Sequence, residues 1–319
     1  MLAAIIIDEH LEAPADSHGS VRMGTWRTPW AHVDLLGKPA IHRFRDFLRE
    51  HGCESISTAV RYSESADKDV PVERTIDFVT ERVRRFKQEG FETILIARVG
   101  SYVEFGLEEM LDAHQQDGTG LTRLEGEQDS LDIWMLDVSW LSDAESLLPA
   151  LQKANPTVYR AHAYVNPLES AQDFRRLVVD SFNSRCRLQP EGTEIKPGVW
   201  VGDGVQIERT ARIVPPVFIG SGVQISEECL VTRCSNIEFG SFVDFGTAVE
   251  DSSILPNTYI GIGLDLSHSI VDGGNLFNLR HNVALDISDP FVMRRNTKRE
   301  LNTRSWSKVE RGELVFTAE

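Results

Sequence analysis

The 319-residue chain has few cysteines, no excess of positive charge and no long apolar run. Each shortage removes a class of function. Cys53, Cys186, Cys229 and Cys234 form neither a CxxC pair nor a zinc-ligand spacing, so they read as reduced thiols and not as a disulfide frame or a metal centre. With 33 basic against 49 acidic residues the net charge is −16, which argues against a nucleic-acid partner. Only Arg294, Arg295, Lys298 and Arg299 cluster, and they read as a solvated tail. The apolar start, Leu2–Ile7, runs directly into Asp8 and Glu9, too short for a signal peptide or a membrane span; it is expected to be a buried strand. Together these features predict a cytoplasmic protein with no membrane partner.

What the chain does have is a six-residue period. Ile195, Val201, Ile207, Ile213, Ile219, Ile225, Val231, Ile237, Val243, Val249 and Leu255 follow one another at that spacing. Four places after each but the last comes a small or β-branched residue: Val199, Val205, Ala211, Val217, Val223, Cys229, Ser235, Ser241, Thr247 and Ser253. Neither a helix nor an ordinary strand repeats at six. A hexad predicts short strands joined by turns, three to a coil, with each aliphatic residue stacked on its counterpart one coil away. The phase reads as broken at Gly261, with irregular wall continuing over Tyr259–Val283.

The first half alternates instead. Leu2–Ile7, Ser55–Arg61, Thr93–Arg98 and Leu131–Val138 read as strands; Pro39–His51, Val72–Glu89, Glu104–Gln115 and Leu168–Ser184 read as helices. The helix over Val72–Glu89 sets Ile76, Val79, Val83 and Phe86 on one face. A βαβα order predicts a mostly parallel sheet with helices on both faces. Pro190 and Gly192 mark the change of pattern, so the expected division is 1–189 as an α/β domain, 190–290 as the repeat domain and 291–319 as a tail.

Gly37-Lys38-Pro39-Ala40-Ile41 followed by Phe44, Phe47, Leu48, Gly52 and Ile56 resembles the GKP-helix-glycine-strand unit of the sugar-nucleotide pyrophosphorylases. Leu107–Asp112, His114 and Gly118 are similar to the segment after that family's central strand, and Trp200-Val201-Gly202 to its entry into a hexapeptide β-helix. The resemblance covers nearly the whole chain. It implies a Rossmann-like nucleotidyltransferase-type domain followed by a left-handed parallel β-helix, and a sugar nucleotide or sugar phosphate as ligand. It also implies a homo-oligomer, or a partner that is a catalytic homologue.

The family's reacting groups are where this sequence departs. The phosphate-holding glycine-rich loop has its nearest counterpart in Gly24, Thr25 and Arg27, with Trp26 in the arginine's place. Trp30-Ala31-His32-Val33-Asp34-Leu35-Leu36 carries no lysine where the family has one to pair with phosphate. The central strand ends in Gly100 and Ser101 where the family has the aspartate that binds magnesium. The vestigial nucleotide site is therefore expected at Gly24, Thr25, Arg27, Gly100 and Ser101, with no catalytic residue, no metal ligand and no cofactor; Mg²⁺ enters only if the chain is active. The expected function is a non-catalytic regulatory, sugar-nucleotide-sensing or structural subunit in sugar-nucleotide or exopolysaccharide metabolism. Two alternatives stand beside it. One is an active pyrophosphorylase with a rearranged site, using Asp8, Glu9 or Asp67 for metal. The other is a hexapeptide-repeat acyltransferase, for which His268 and His281, outside the regular hexads, are the candidate bases.

Overall fold

The computed structural model describes residues 1–8, 30–60, 72–98, 100–126, 130–140, 151, 154–160 and 164–296. By contact density the chain forms two units: Met1–Ala15 with Ala40–Glu169, and Asp16–Pro39 with Ser170–Glu319. Among the described residues no helix is long and apolar enough to cross a membrane.

In chain order the first ten strands are β1 (Leu2–Asp8), β2 (Asp34–Leu35), β3 (Lys38–Pro39), β4 (Cys53–Val60), β5 (Thr93–Arg98), β6 (Tyr102–Val103), β7 (Leu121–Glu125), β8 (Ser130–Asp137), β9 (Thr157–Arg160) and β10 (Val165–Asn166). The helices are α1 (Ala40–Glu50), α2 (Val72–Gln88), α3 (Leu107–Asp117) and α4 (Ala171–Phe182).

The first unit is an α/β sheet in the order β4-β1-β5-β8-β7-β9. β1 lies parallel to both β4 and β5, β8 runs against β5 and β7, and β9 is parallel to β7. Ala3, Ile5, Ile7, Ile94 and Ile96 share one core cluster with Val79, Val83 and Phe86 of α2. The alternate residues Ala4, Ile6, Leu95 and Ala97 are buried too, so both faces are covered; this is why β1 and β5 read as continuous apolar runs. The expected helix over Glu104–Gln115 starts three residues later, because Gly106 is the N-cap and Glu104 accepts a hydrogen bond from the Tyr102 hydroxyl. β7 and β9 were not expected from the sequence; β9 is a short edge strand with no fully buried residue.

The second unit carries many short strands, mostly parallel, in three sheets, an arrangement compatible with a β-helix. One sheet stacks Val199–Val201, Val217–Ile219, Ser235–Ile237, Ser253–Ile254 and Ser269–Asp272; a second stacks Gln206–Ile207, Gln224–Ile225, Phe242–Val243 and Thr258–Ile260; the third stacks Arg212–Ile213, Leu230–Thr232, Ala248–Glu250 and Asp265–Ser267. The hexad residues Ile213, Ile219, Ile225, Val231, Ile237, Val243 and Val249 form one buried cluster. Burying each side chain is worth about 1.5–3 kcal/mol.

The period slips once more often than the sequence suggests. Early coils pair Val199 with Val217 and Ile213 with Val231, but later ones pair Ile237 with Ile254 and Val249 with Leu266, one residue sooner. The inward residue after Val249 is therefore Ile254 and not Leu255, and the inward series continues through Ile260, Leu266 and Val271 past the expected break at Gly261. Leu255 is buried but lies outside that cluster. Two adjacent aliphatic residues hide such a slip from any count of periodicity.

The slip also changes which residue fills the small slot. In the later coils that slot holds hydroxyls that tie one coil to the next. Ser241 Oγ donates to the Leu255 carbonyl at 2.9 Å and accepts from Thr258 N at 3.2 Å; Thr247 Oγ1 does the same with Gly261 O and Leu264 N at 2.6 and 3.0 Å. Ser252, not Ser253, takes the corresponding place, accepting from Ser269 N at 3.0 Å. Thr247→Val keeps the shape but leaves a buried carbonyl and amide without this partner. It should lower stability by about 1–3 kcal/mol in urea unfolding, whereas Val223→Thr, in an early apolar slot, should gain nothing.

Antiparallel strands close the stack. Thr193–Lys196 pairs with Val199–Val201 at one end; at the other, Ser269–Asp272 runs into Asn275–Asn278 and Val283–Asp286, and Met293–Arg295 pairs with Thr258–Ile260. Such strands cover an edge that would otherwise invite pairing. Arg294 and Arg295 are thus not a solvated tail. The Arg294 guanidinium lies 3.8 Å from the Tyr259 ring centroid, and Arg295 pairs with Asp272 at 2.7 Å. Lys298 and Arg299 lie outside the described residues.

Candidate functional site

Gly24, Thr25 and Arg27 lie outside the described residues, as do Glu9 and Asp67. Gly100 and Ser101 follow β5 at its carboxyl end, beside that of its parallel neighbour β1, the edge where open α/β sheets hold ligands. Both are half-buried, and next to them the short pair β6 and β10 stacks Tyr102 edge-on against Tyr164, centroids 6.1 Å apart. The structure does not bring Ser101 together with any other described residue of the expected set except Gly100. A neutral hydroxyl is a poor substitute for a carboxylate on a hard divalent cation. Among the described residues no three His, Cys, Asp or Glu side chains converge where a metal ion could be held. His114 is buried and bonded at both ring nitrogens, to Thr122 Oγ1 at 2.8 Å and Asp137 Oδ1 at 3.1 Å, which pins α3 to β7 and β8. Burial pushes the Cys53 thiol up to about 11 and also raises Cys229 and Cys234.

The densest chemistry is a buried polar chain within the second unit. It begins at the GKP stretch. β2 and β3 form a hairpin whose turn, Leu36-Gly37, is left-handed at both residues, with φ 53° and 93°. Two positive φ values suit a two-residue hairpin but are costly for leucine. Glu238 holds the turn: Oε1 accepts from Leu36 N and Oε2 from Gly37 N, each at 2.9 Å. Asn236 Nδ2 donates to Glu238 Oε1 at 2.7 Å. Glu238 is fully buried, which pushes its carboxyl up to about 7; the Asn236 hydrogen bond opposes this and Asp34 adds to it.

Asn236 passes the chain on to α4. Arg175 Nη1 donates to Asn236 Oδ1 and Ser253 Oγ, both at 3.3 Å. Its Nη2 donates to the Cys234 carbonyl at 2.7 Å and to Asp251 Oδ1 at 2.8 Å. Burial lowers the pKa of Arg175 and Asp251 opposes that shift; an arginine stays charged regardless. Asp251 Oδ2 lies 2.5 Å from His268 Nδ1. An ionised carboxylate can only accept, so Nδ1 carries the proton and Nε2 is the nitrogen left to act.

No protein-family model matches this chain, and no curated protein matches it either.

His268 lines an open cleft of about 490 Å³ with Asp251, Leu279 and Arg280. Leu279 N donates to the His268 carbonyl at 2.7 Å, which docks the hairpin carrying Arg280 against this corner. The other candidate, His281, is exposed on that same hairpin and its backbone amide donates to Asn278 Oδ1 at 3.0 Å. Sequence reasoning singled out His268 but missed Arg175, Asn236, Glu238 and Asp251. The only signal was polar residues flanking hexad aliphatics, and most such residues face water.

Proposed function

We propose that this chain is a sugar-nucleotidyltransferase-like protein that does not catalyse nucleotidyl transfer, with its second unit built as a left-handed β-helix, and that it serves as a regulatory, sugar-nucleotide-sensing or structural subunit. The observation that carries this reading is Ser101 at the carboxyl end of β5, where transfer chemistry needs a metal-binding carboxylate. The GKP stretch supports it. The amides of Leu36 and Gly37 bond to the chain's own carboxylate, Glu238, and so act as a clip. Sugar-nucleotide or exopolysaccharide metabolism is the setting the family resemblance suggests, and a homo-oligomer or a complex with a catalytic homologue is the proposed assembly.

The test is direct. Incubated with Mg²⁺, nucleoside triphosphates and sugar 1-phosphates, the protein should release no pyrophosphate above the no-enzyme background. Turnover abolished by a substitution in the α/β unit would overturn the proposal. A sugar nucleotide that binds only the folded state should raise the melting temperature, and this separates a sensor from a purely structural subunit.

A further inference from the structure

The coils turn at three corners, and one of them is built differently. At the first, the left-handed position is held by Gly204, Gly222, Gly240 and Asn257; at the second, by Glu228, Gly246 and Gly263. At the third, Gly198 holds it before Val199–Val201, but in the later coils it is held by Arg233 and Cys234, then Asp251, then His268, with φ between 44° and 58°. It is also where the coils lose a residue, between Val249 and Ile254. The left-handed conformation is unfavourable for a residue with a Cβ, so Asp251 and His268 keep side chains where glycine would turn the chain more easily. Strained positions of this kind concentrate at ligand sites.

Around this corner Arg175 pairs with Asp251 and Arg233 with Glu250, at 2.8 and 2.6 Å, and Arg280 lines the cleft beside Asp251. Asp251 has both oxygens engaged, one by buried Arg175 and one by His268, so it orients the imidazole. His268 Nε2 and the Arg280 guanidinium have no hydrogen-bond or ion-pair partner among the described residues, and both residues line the open cleft. We propose that this corner is a binding site for a small molecule carrying a phosphate monoester. Arg280 donates to the phosphate from the rim, and His268 Nε2 joins a phosphate oxygen through one shared proton, supplied by the ligand or by solvent. The second ionisation of a phosphate monoester lies near pH 6, which makes such sharing natural near neutrality. Leu279 gives the cleft an apolar wall for the rest of the molecule. This site is independent of the nucleotidyltransferase-like reading and lies in the other unit.

Isothermal titration of the full chain with glycerol 3-phosphate, with glycerol and acetate as separate arms, tests it. Glycerol 3-phosphate should bind and glycerol should not; acetate binding as tightly would overturn the choice of phosphate. Arg280→Ala and Asp251→Asn should each weaken binding by at least about tenfold. His268→Gly is the decisive variant, because it relieves the left-handed strain: binding should be lost while the melting temperature holds or rises. A lower melting temperature without a loss of binding would make His268 structural and overturn the proposal. So would no binding to the unmodified protein, or binding untouched by all three substitutions; the last result would place the phosphate elsewhere and leave the nucleotidyltransferase-like reading standing.

Discussion

Glu238→Ala should be among the most damaging single substitutions in this protein, lowering stability by about 4 kcal/mol, because it strands the buried amides of Leu36 and Gly37 and the amide of Asn236 together. Glu238→Gln is milder. Above pH 7, where the carboxylate is ionised, the Gln oxygen can keep Leu36 and Asn236, but its NH₂ then meets the Gly37 N–H, donor against donor, at a cost of about 2 kcal/mol. The two variants also separate in pH dependence. Burial raises the Glu238 carboxyl from an ordinary 4.5 to about 7, so between those values the folded chain holds a proton that the unfolded chain has released. Stability from this group is therefore greatest below the lower value and declines as pH rises through the window, by about 3 kcal/mol in all, then levels off. Urea midpoints taken from pH 5 to pH 8 should show that decline in the unmodified protein and lack it in Glu238→Gln; an unchanged slope would mean another group titrates there.

Arg175→Met should cost about 3 kcal/mol or more. The side chain is almost wholly buried, and methionine fills much of its volume, so the loss is electrostatic. It leaves Asp251 without its cation and the Cys234 carbonyl without its guanidinium donor, while Asn236 Oδ1 keeps the Ser253 hydroxyl. Asp251 is partly open to water, which places the effect at the lower end for a broken buried pair. Removing the stranded charge should recover part of the loss. In a double-mutant cycle the Arg175→Met, Asp251→Asn protein should be more stable than the sum of its single variants predicts, and strict additivity would show that the pair is not coupled.

The parts of the fold that repeat are legible in the sequence. Apolar runs at β1 and β5 announce strands covered on both faces, α2 shows its buried side in Val79, Val83 and Phe86, and the hexads name the inward wall from Ile213 to Val249. Legibility ends where two readings predict the same composition. Ile254 and Leu255 are both aliphatic and both buried, so only the register tells which one faces in. Ser252 and Ser253 likewise exchange places unnoticed. The polar chain from Leu36 to His268 leaves almost no trace, because hydrogen bonding has no period and its members come from a hairpin, a helix and three successive coils. His268 stood out only because the hexads contain no histidine; that a carboxylate orients it is a fact of the corner and not of the sequence.

The clip between Leu36, Gly37 and Glu238 spans 202 residues of chain. At the usual 5–20 residues per second of synthesis, the turn leaves the ribosome roughly 10–40 s before the carboxylate that secures it. Between the two lie Ala40–Glu169, which form the body of the other unit, and that unit has its own core to close in the interval. Coils of the stack meet only their neighbours and can be laid down one after another as they emerge. The hairpin cannot join them until the coil bearing Glu238 exists. A nascent chain halted before residue 238 should therefore show a protease-sensitive Leu36-Gly37 turn beside an already resistant α/β unit, and translation a little further should protect it.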